Sequence, residues 1–194
     1  MKDKQNLLYE DAEMLLTILN QQRHDWLNHF QVLLGYLRLG RPAEGEAYLQ
    51  RVTEQTHQES NIARIQCPPL SVFFLTFHAL HHDFRLEVEI YNDVNLSTLP
   101  ISQMDLYHFI TQVIYTIKKY IHSEDVELPN LLISLESKEE GVVFHFDLAM
   151  NVTASAKPEM EKLLESGKAT GFTIVHNTYE EDEWVLELLV PYRT

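Results

Sequence analysis

Glycine is scarce in this chain: six in 194 residues, with no two in a Gly-x-Gly pattern. That excludes the glycine-rich loops whose backbone amides wrap a nucleotide's phosphates. Cysteine is scarcer still. The single thiol, Cys67, rules out an internal disulfide framework and suits a reducing compartment. Positive charge is short too, with 15 Lys and Arg against 29 Asp and Glu, a net charge of -14. Non-specific binding to nucleic acid or to an anionic membrane needs cations, so neither partner is expected. No apolar run approaches the roughly 18 residues of a membrane span, and no cationic-then-apolar leader is apparent. The expectation is a soluble, cytoplasmic protein. At 45% hydrophobic content the chain can bury one good core, or a small helical unit beside a compact second domain.

What the chain does have is a long helical repeat from about Leu7 to Leu39. At about 100° per residue, Leu8, Ala12, Leu15, Leu19, Trp26, Phe30, Leu33 and Leu37 form one stripe, broken by Gln22. His24 lies about 160° from the centre of that stripe on the same count. Its neighbours on the polar face are Thr17, Asn20, Gln21, Asn28, Gln31, Gly35 and Arg38. A histidine buried for packing would sit on the stripe. This one is offered to a partner, and Gly35, about three turns on, leaves room for docking.

Gly40-Arg41-Pro42 stops the helix, and Pro42 is well placed to begin a second one covering Ala43 to Arg64. The second helix has a thin stripe of Tyr48, Val52 and Ile62 and pairs with the first as an antiparallel hairpin. It is too thin to cover the first, where Leu16, Ile18, Leu27 and Leu34 widen the apolar face. A homodimer with a four-helix bundle at its centre is therefore predicted.

Gln66-Cys67-Pro68-Pro69 reads as a short stiff joint between a helical domain, 1–66, and a second domain, 67–194. In the second, helices are predicted at Leu70–His82, from Pro100-Ile101-Ser102 to about Ile121, and at Lys157–Ser166. Strands are predicted at Phe84–Tyr91, Asn130–Ser137, Val142–Leu148, Gly171–Thr178 and Trp184–Val190, with Asn92–Leu99 a loop. The fold class is α+β: a helical hairpin followed by an α/β sandwich with helices on one face of a mixed sheet.

An exposed neutral imidazole is a good nucleophile toward phosphorus, and its N–P bond can pass a phosphoryl group on to a carboxylate. Such transfer depends on positioning and charge stabilisation. Asp25 could orient the ring or raise its basicity, Asn28 could orient a phosphoryl oxygen or a water, and Arg23 and Arg38 could neutralise charge. On the helical wheel alone, an ordinary surface histidine explains the same pattern.

The string Gln22-Arg23-His24-Asp25-Trp26-Leu27-Asn28-His29-Phe30-Gln31, continuing through Gly35 to Gly40, resembles the phosphoacceptor helix of the sporulation initiation phosphotransferase B family. Citrate-type sensor histidine kinases carry a similar helix. The resemblance implies that His24 is phosphorylated, with Arg23, Asp25 and Asn28 around it in a dimeric four-helix bundle. It also implies a response regulator docking on the helix, across a surface taken to include Asn20, Gln21, Asn28, Gln31, Gly35 and Arg38.

The second domain resembles a degenerate kinase ATPase domain. Gln112 and Thr116 stand where asparagines are looked for, and Asp147-Leu148-Ala149-Met150-Asn151 lacks the two glycines of the kinase motif. The implied activity is a phosphorelay phosphotransferase and not an ATP-dependent kinase. His24 would accept phosphoryl from one regulator's aspartate and pass it to a second regulator, a transcription factor controlling entry into sporulation. Mg²⁺ would come from the regulator's acidic pocket, and no metal or ATP site is expected on the chain itself. The rival reading is a kinase-like adaptor that binds and sequesters a regulator without exchanging phosphate.

Other clusters read more plainly. His78, His81, His82 and Asp83 could gather a metal, but the end of a helix, where imidazoles favour the dipole, explains them better. The His-Asp pairs at 24–25 and 82–83 lack the further helical ligands of a metal phosphohydrolase. Tyr179–Glu183 reads as a solvated hairpin tip, and His29 as a histidine that packs or lines the bundle. Ser60, Ser71 and Cys67 have no readable partner for nucleophilic chemistry.

Overall fold

Glycine and proline set the element boundaries. The computed structural model describes residues 2–121, 128–149, 156–180 and 183–192. Helix α1 runs Lys2–Arg38 and α2 runs Pro42–Arg64. Between them Gly40 takes φ +68°, and two bonds close the end of α1: Arg41 N–H to Tyr36 O at 3.0 Å and Gly40 N–H to Leu37 O at 3.2 Å. This left-handed glycine cap satisfies carbonyls that the end of a helix leaves open.

The chain forms two compact units, 1–57 and 58–194, which divide within α2. In the first, Gly45 is buried, and a Cβ there would lie 3.4 Å from Tyr36 Cβ and 3.5 Å from Leu33 Cδ1. The absent side chain thus lets α2 approach α1 closely. Much of the predicted stripe stays open in the single chain: Leu15, Leu19, Trp26, Phe30 and Leu37 are all exposed.

In the second unit α3 spans Pro68–Leu80, β1 Arg85–Tyr91 and α4 Gln103–Tyr120. Then come β2 (Asn130–Ser137), β3 (Gly141–Leu148), α5 (Ala156–Thr170), β4 (Thr173–Tyr179) and β5 (Trp184–Pro191). Two sequence expectations are corrected. Pro68 and Pro69 do not form a joint outside a helix but occupy the first turn of α3, where a missing N–H costs nothing. The loop predicted at Asn92–Leu99 contains a 3₁₀ turn, Leu96–Thr98, begun by the Asn95 side chain accepting from Ser97 N–H.

The sheet is mixed, in the order β1-β2-β3-β5-β4, with β1 parallel to β2 and the other pairs antiparallel. Alternation along the strands buries Leu131, Ile133 and Leu135 on β2 and Leu186, Leu188 and Val190 on β5. Helix α4 is the centre of the core, with Leu106, Ile110, Val113, Ile114 and Ile117 fully buried at helical spacing. Helix α3 packs on β1, α5 on β4, and α4 touches both helices. At the β4 edge the register with β5 shifts between Ile174 and His176, so Val175 is extra.

Gly141 begins β3 opposite Pro191. A Cβ there would lie 2.2 Å from Val190 O and 2.7 Å from Pro191 Cα, both backbone atoms that cannot swing aside. Gly141→Ala is expected to cost about 3 kcal/mol as the β3–β5 pair is pushed apart. Urea denaturation reads this directly, and an unchanged midpoint would mean that the strand pair yields freely.

Candidate functional site

An unbroken helix places residues three and four apart on one face, and α1 uses this around His24. The imidazole is 66% exposed. Its Nδ1 lies 3.2 Å from Asn28 Nδ2 and 3.5 Å from Asp25 Oδ1. Among the described residues its Nε2 has no partner. Gln21 Nε2–H donates to Asp25 Oδ1 at 3.0 Å, which steadies the carboxylate beside the ring. His24, Asp25, Asn28 and Gln21 therefore form one cluster, with one ring nitrogen held and the other open.

The hydrogen-bond chemistry decides which nitrogen is nucleophilic. An amide N–H facing Nδ1 finds a lone pair there and leaves the proton on Nε2. A half-turn of the Asn28 amide presents its oxygen instead. Nδ1–H then donates to Asn28 or Asp25, and Nε2 carries the lone pair. Neighbours on the helix can thus select the reactive tautomer without moving the backbone.

Among the described residues, the others singled out in the sequence make no side-chain hydrogen bond to this cluster. Arg23 donates to Asn20 Oδ1 at 2.5 Å, so its guanidinium is engaged one turn back along the helix. Gln31 and Arg38 are exposed and Gly35 is half-buried. A Cβ on Gly35 would meet nothing within 4 Å. At about 1.5 Å per residue Gly35 is about 16 Å along the helix from His24. Gly35 and Arg38 can thus only extend a docking strip along the helix.

His29 does something the sequence did not disclose. Its Nδ1 lies 2.7 Å from Tyr48 Oη on α2, with Trp26 edge-on to its ring. No local periodicity links residues 19 positions apart, so this bond was invisible before the helices were paired.

In the second unit Gln112 is exposed and Thr116 buried. The Phe109 ring of α4 lies 4.1 Å from that of Phe172, just beyond α5, and a Cβ on Gly167 of α5 would meet Phe109 at 2.4 Å. Lys119 Nζ and Tyr120 Oη both donate to Glu159 Oε2, at 2.8 and 2.5 Å. The two helices are closely joined at both ends of their contact. Asp147 is the penultimate residue of β3, while Met150 and Asn151, the close of its sequence motif, lie outside the described residues.

The histidines at the end of α3 have separate partners. His78 Nε2 lies 2.7 Å from Leu86 O, while His81 Nδ1 is 3.2 Å from Lys118 Nζ, which also donates to Asp83 at 2.6 Å. Among the described residues no three side chains are grouped to hold a metal. Of the predicted acidic tip at 179–183, residues 181 and 182 lie outside the described residues, and Glu180 N–H to Glu183 O at 2.8 Å closes it.

Burial, with the Phe77 ring 4.6 Å away, and then the Lys118 ammonium hold the His81 imidazole below its usual 6.5. The unfolded chain therefore binds the proton more readily, so this contribution to stability is complete above that value and declines as pH falls below it. Lowering the pH from about 7.5 to about 5.5 is expected to lower the thermal midpoint, and less so in His81→Phe. Equal slopes in the two proteins would assign the effect elsewhere.

Comparison with known proteins adds two family models that together span most of the chain. One, described as Sensor kinase SpoOB-type, alpha-helical domain, matches residues 5–65, and the other, Sporulation initiation phospho-transferase B, C-terminal, matches residues 66–191. A relative, sporulation initiation phosphotransferase B of Bacillus subtilis (strain 168), is 29% identical over 80 residues, 41% of this chain and 42% of that protein. The match thus spans about two-fifths of the relative's length. Among solved structures, the Acinetobacter baumannii histidine kinase AdeS aligns at 9% identity and a TM-score of 0.46, covering 88% of this chain and 98% of that one. A bacterial phosphotransferase aligns at 10% and 0.40, covering 91% and 96%. Histidine kinase ThkA, in a complex with the response regulator TrrA, aligns at 10% and 0.46, covering 99% and 66%. No helix among the described residues is long and apolar enough to cross a membrane.

Proposed function

The chain belongs to the sporulation initiation phosphotransferase B family, and from that we propose that His24 accepts a phosphoryl group from a response-regulator aspartate and returns it to another. The observation that carries the reading is the exposed imidazole held at Nδ1 and open at Nε2. In the first step the acyl-phosphate P–O bond of the donor aspartate breaks as Nε2 bonds to phosphorus, and the carboxylate leaves. The positive charge that develops on the ring is balanced by Asp25, and the Nδ1 proton stays shared with Asp25 or Asn28. The second step reverses the first on another regulator's carboxylate. Mg²⁺ in the regulator's acidic pocket would neutralise the transferring oxygens. The second regulator would be the transcription factor whose phosphorylation starts sporulation.

ATP is not the donor in this reading. Supporting it are the lack of a Gly-x-Gly loop and the close joining of α4 to α5 through Phe109 against Gly167 and the Glu159 bonds. The active species is a homodimer in which two α1–α2 hairpins make a four-helix bundle, which would cover the open stripe on α1. Asn20, Gln21, Gln31, Gly35 and Arg38 then offer the regulator a mostly uncharged strip beside the imidazole.

The test mixes the protein with a ³²P-labelled phospho-regulator and Mg²⁺ in one tube and with labelled ATP in another. Acid-labile, base-stable label arriving from the regulator alone supports the relay. Label from ATP alone would make the chain a kinase. No label from either source would leave the sequestering adaptor as the better reading.

A further inference from the structure

We infer that His29 and Tyr48 are a positioning pair that sets the rotation of α1 about its own axis, and so the direction in which His24 is presented. The inference rests on the reading of His24 as the phosphoacceptor. Within the first unit α1 meets α2 through Leu33 and Tyr36 beside the buried Gly45 and through Tyr48. Apolar contact of this kind has no preferred direction, so by itself it tolerates a turn of one helix against the other. A hydrogen bond does not, because it demands both distance and alignment.

The bond from His29 Nδ1 to Tyr48 Oη, at 2.7 Å and half-buried, supplies that demand. Both ends are themselves held. The Tyr36 ring lies 6.1 Å from Tyr48 and the Arg51 guanidinium 5.6 Å from its centroid, while Trp26 stands edge-on to His29 at 5.9 Å.

His29 follows His24 by five residues, about 140° round the same rigid helix and about 7.5 Å along it. Whatever turns one turns the other. On a helix about 10–12 Å across, a turn of about 20° moves a side-chain tip by about 2 Å. A misplacement of about 1 Å is enough to cost about a hundredfold in a transfer that depends on alignment. His29 and Tyr48 need not touch the phosphoryl group to control its transfer.

The test compares single-turnover transfer from a labelled phospho-regulator in the full-length wild type, Tyr48→Phe, His29→Leu and His29→Asn. Tyr48→Phe keeps the ring and loses the hydroxyl. The asparagine amide nitrogen falls near the place of Nδ1, so His29→Asn keeps the hydrogen bond, whereas His29→Leu cannot make it. The expected result is a rate at saturating regulator about tenfold lower in Tyr48→Phe and His29→Leu, with half-saturation changed less than twofold. His29→Asn should recover to within about threefold of wild type.

Equal rates in all four proteins would overturn the inference while leaving the phosphoacceptor reading intact. So would losses in which half-saturation, helicity and melting fall together and asparagine rescues nothing, since that is a purely structural role. A wild type that takes no label would remove the phosphoacceptor reading, and the positioning role with it.

Discussion

Replacing His24 with glutamine is expected to abolish phosphoryl acceptance, bringing label on the protein to background. Glutamine keeps a polar side chain of similar reach on the wet face of α1, so the helix and the docking strip are preserved. What it removes is the ring lone pair, since an amide nitrogen is not a nucleophile at phosphorus. Regulator binding, followed by titration calorimetry, should change less than about twofold, because in the proposed complex the strip around the imidazole would supply most of the contact. The same variant separates the two functional readings in the cell. A phosphotransferase loses its role completely with His24→Gln, whereas a sequestering adaptor keeps it. Retained labelling would point to another acceptor, and His29, tied to Tyr48, would be examined next.

The second large effect concerns the open stripe on α1. Leu19 is 46% exposed and Phe30 54%, although both lie on the apolar face. Covering each remaining half of such a side chain is worth about 1 kcal/mol, and the stripe repeats that gain along the helix and on both partners. Wild type is therefore expected to run as a dimer at micromolar concentration, about twice the 22.7 kDa of one chain. In Leu19→Glu with Phe30→Glu, four carboxylates would have to enter a closed bundle core, which costs several kcal/mol for each unpaired charge. That variant should scatter light as a monomer and take no label. A wild type that is monomeric under the same conditions would remove the bundle from the account.

Most of the architecture could be read from the chain because its local patterns agree. Strand alternation placed β2, β3 and β5 to within a residue or so, and Ser102, accepting from Asp105 N–H at 3.1 Å, begins α4 where a start was expected. The misread segments were those where one residue type serves two uses. Two prolines stop a preceding helix but also suit the first turn of the next, and here they take the second use in α3. At the site, the wheel put His24, Asp25 and Asn28 together because they are neighbours on one helix. Tyr48 and the Glu159 bonds to Lys119 and Tyr120 were hidden because their partners are distant in sequence. The sequence could put His24 on the wet face of α1 but could not disclose the bond between His29 and Tyr48.

The bulge at Val175 has a bearing on how copies of this chain can meet. An open edge strand offers unpaired amides and carbonyls on which a foreign strand can grow, and β1 and β4 are the two edges of this sheet. The extra residue in β4 twists that ladder out of line, and Val175 is left exposed beside it. At the other edge Arg85, Glu87 and Glu89 line β1, with Arg85 and Glu87 paired at 2.9 Å, so an incoming strand would meet fixed charge. Both margins thus discourage runaway, fibre-like growth, and the proposed pairing of helices, which would close on itself after two copies, has no competitor at either edge of the sheet.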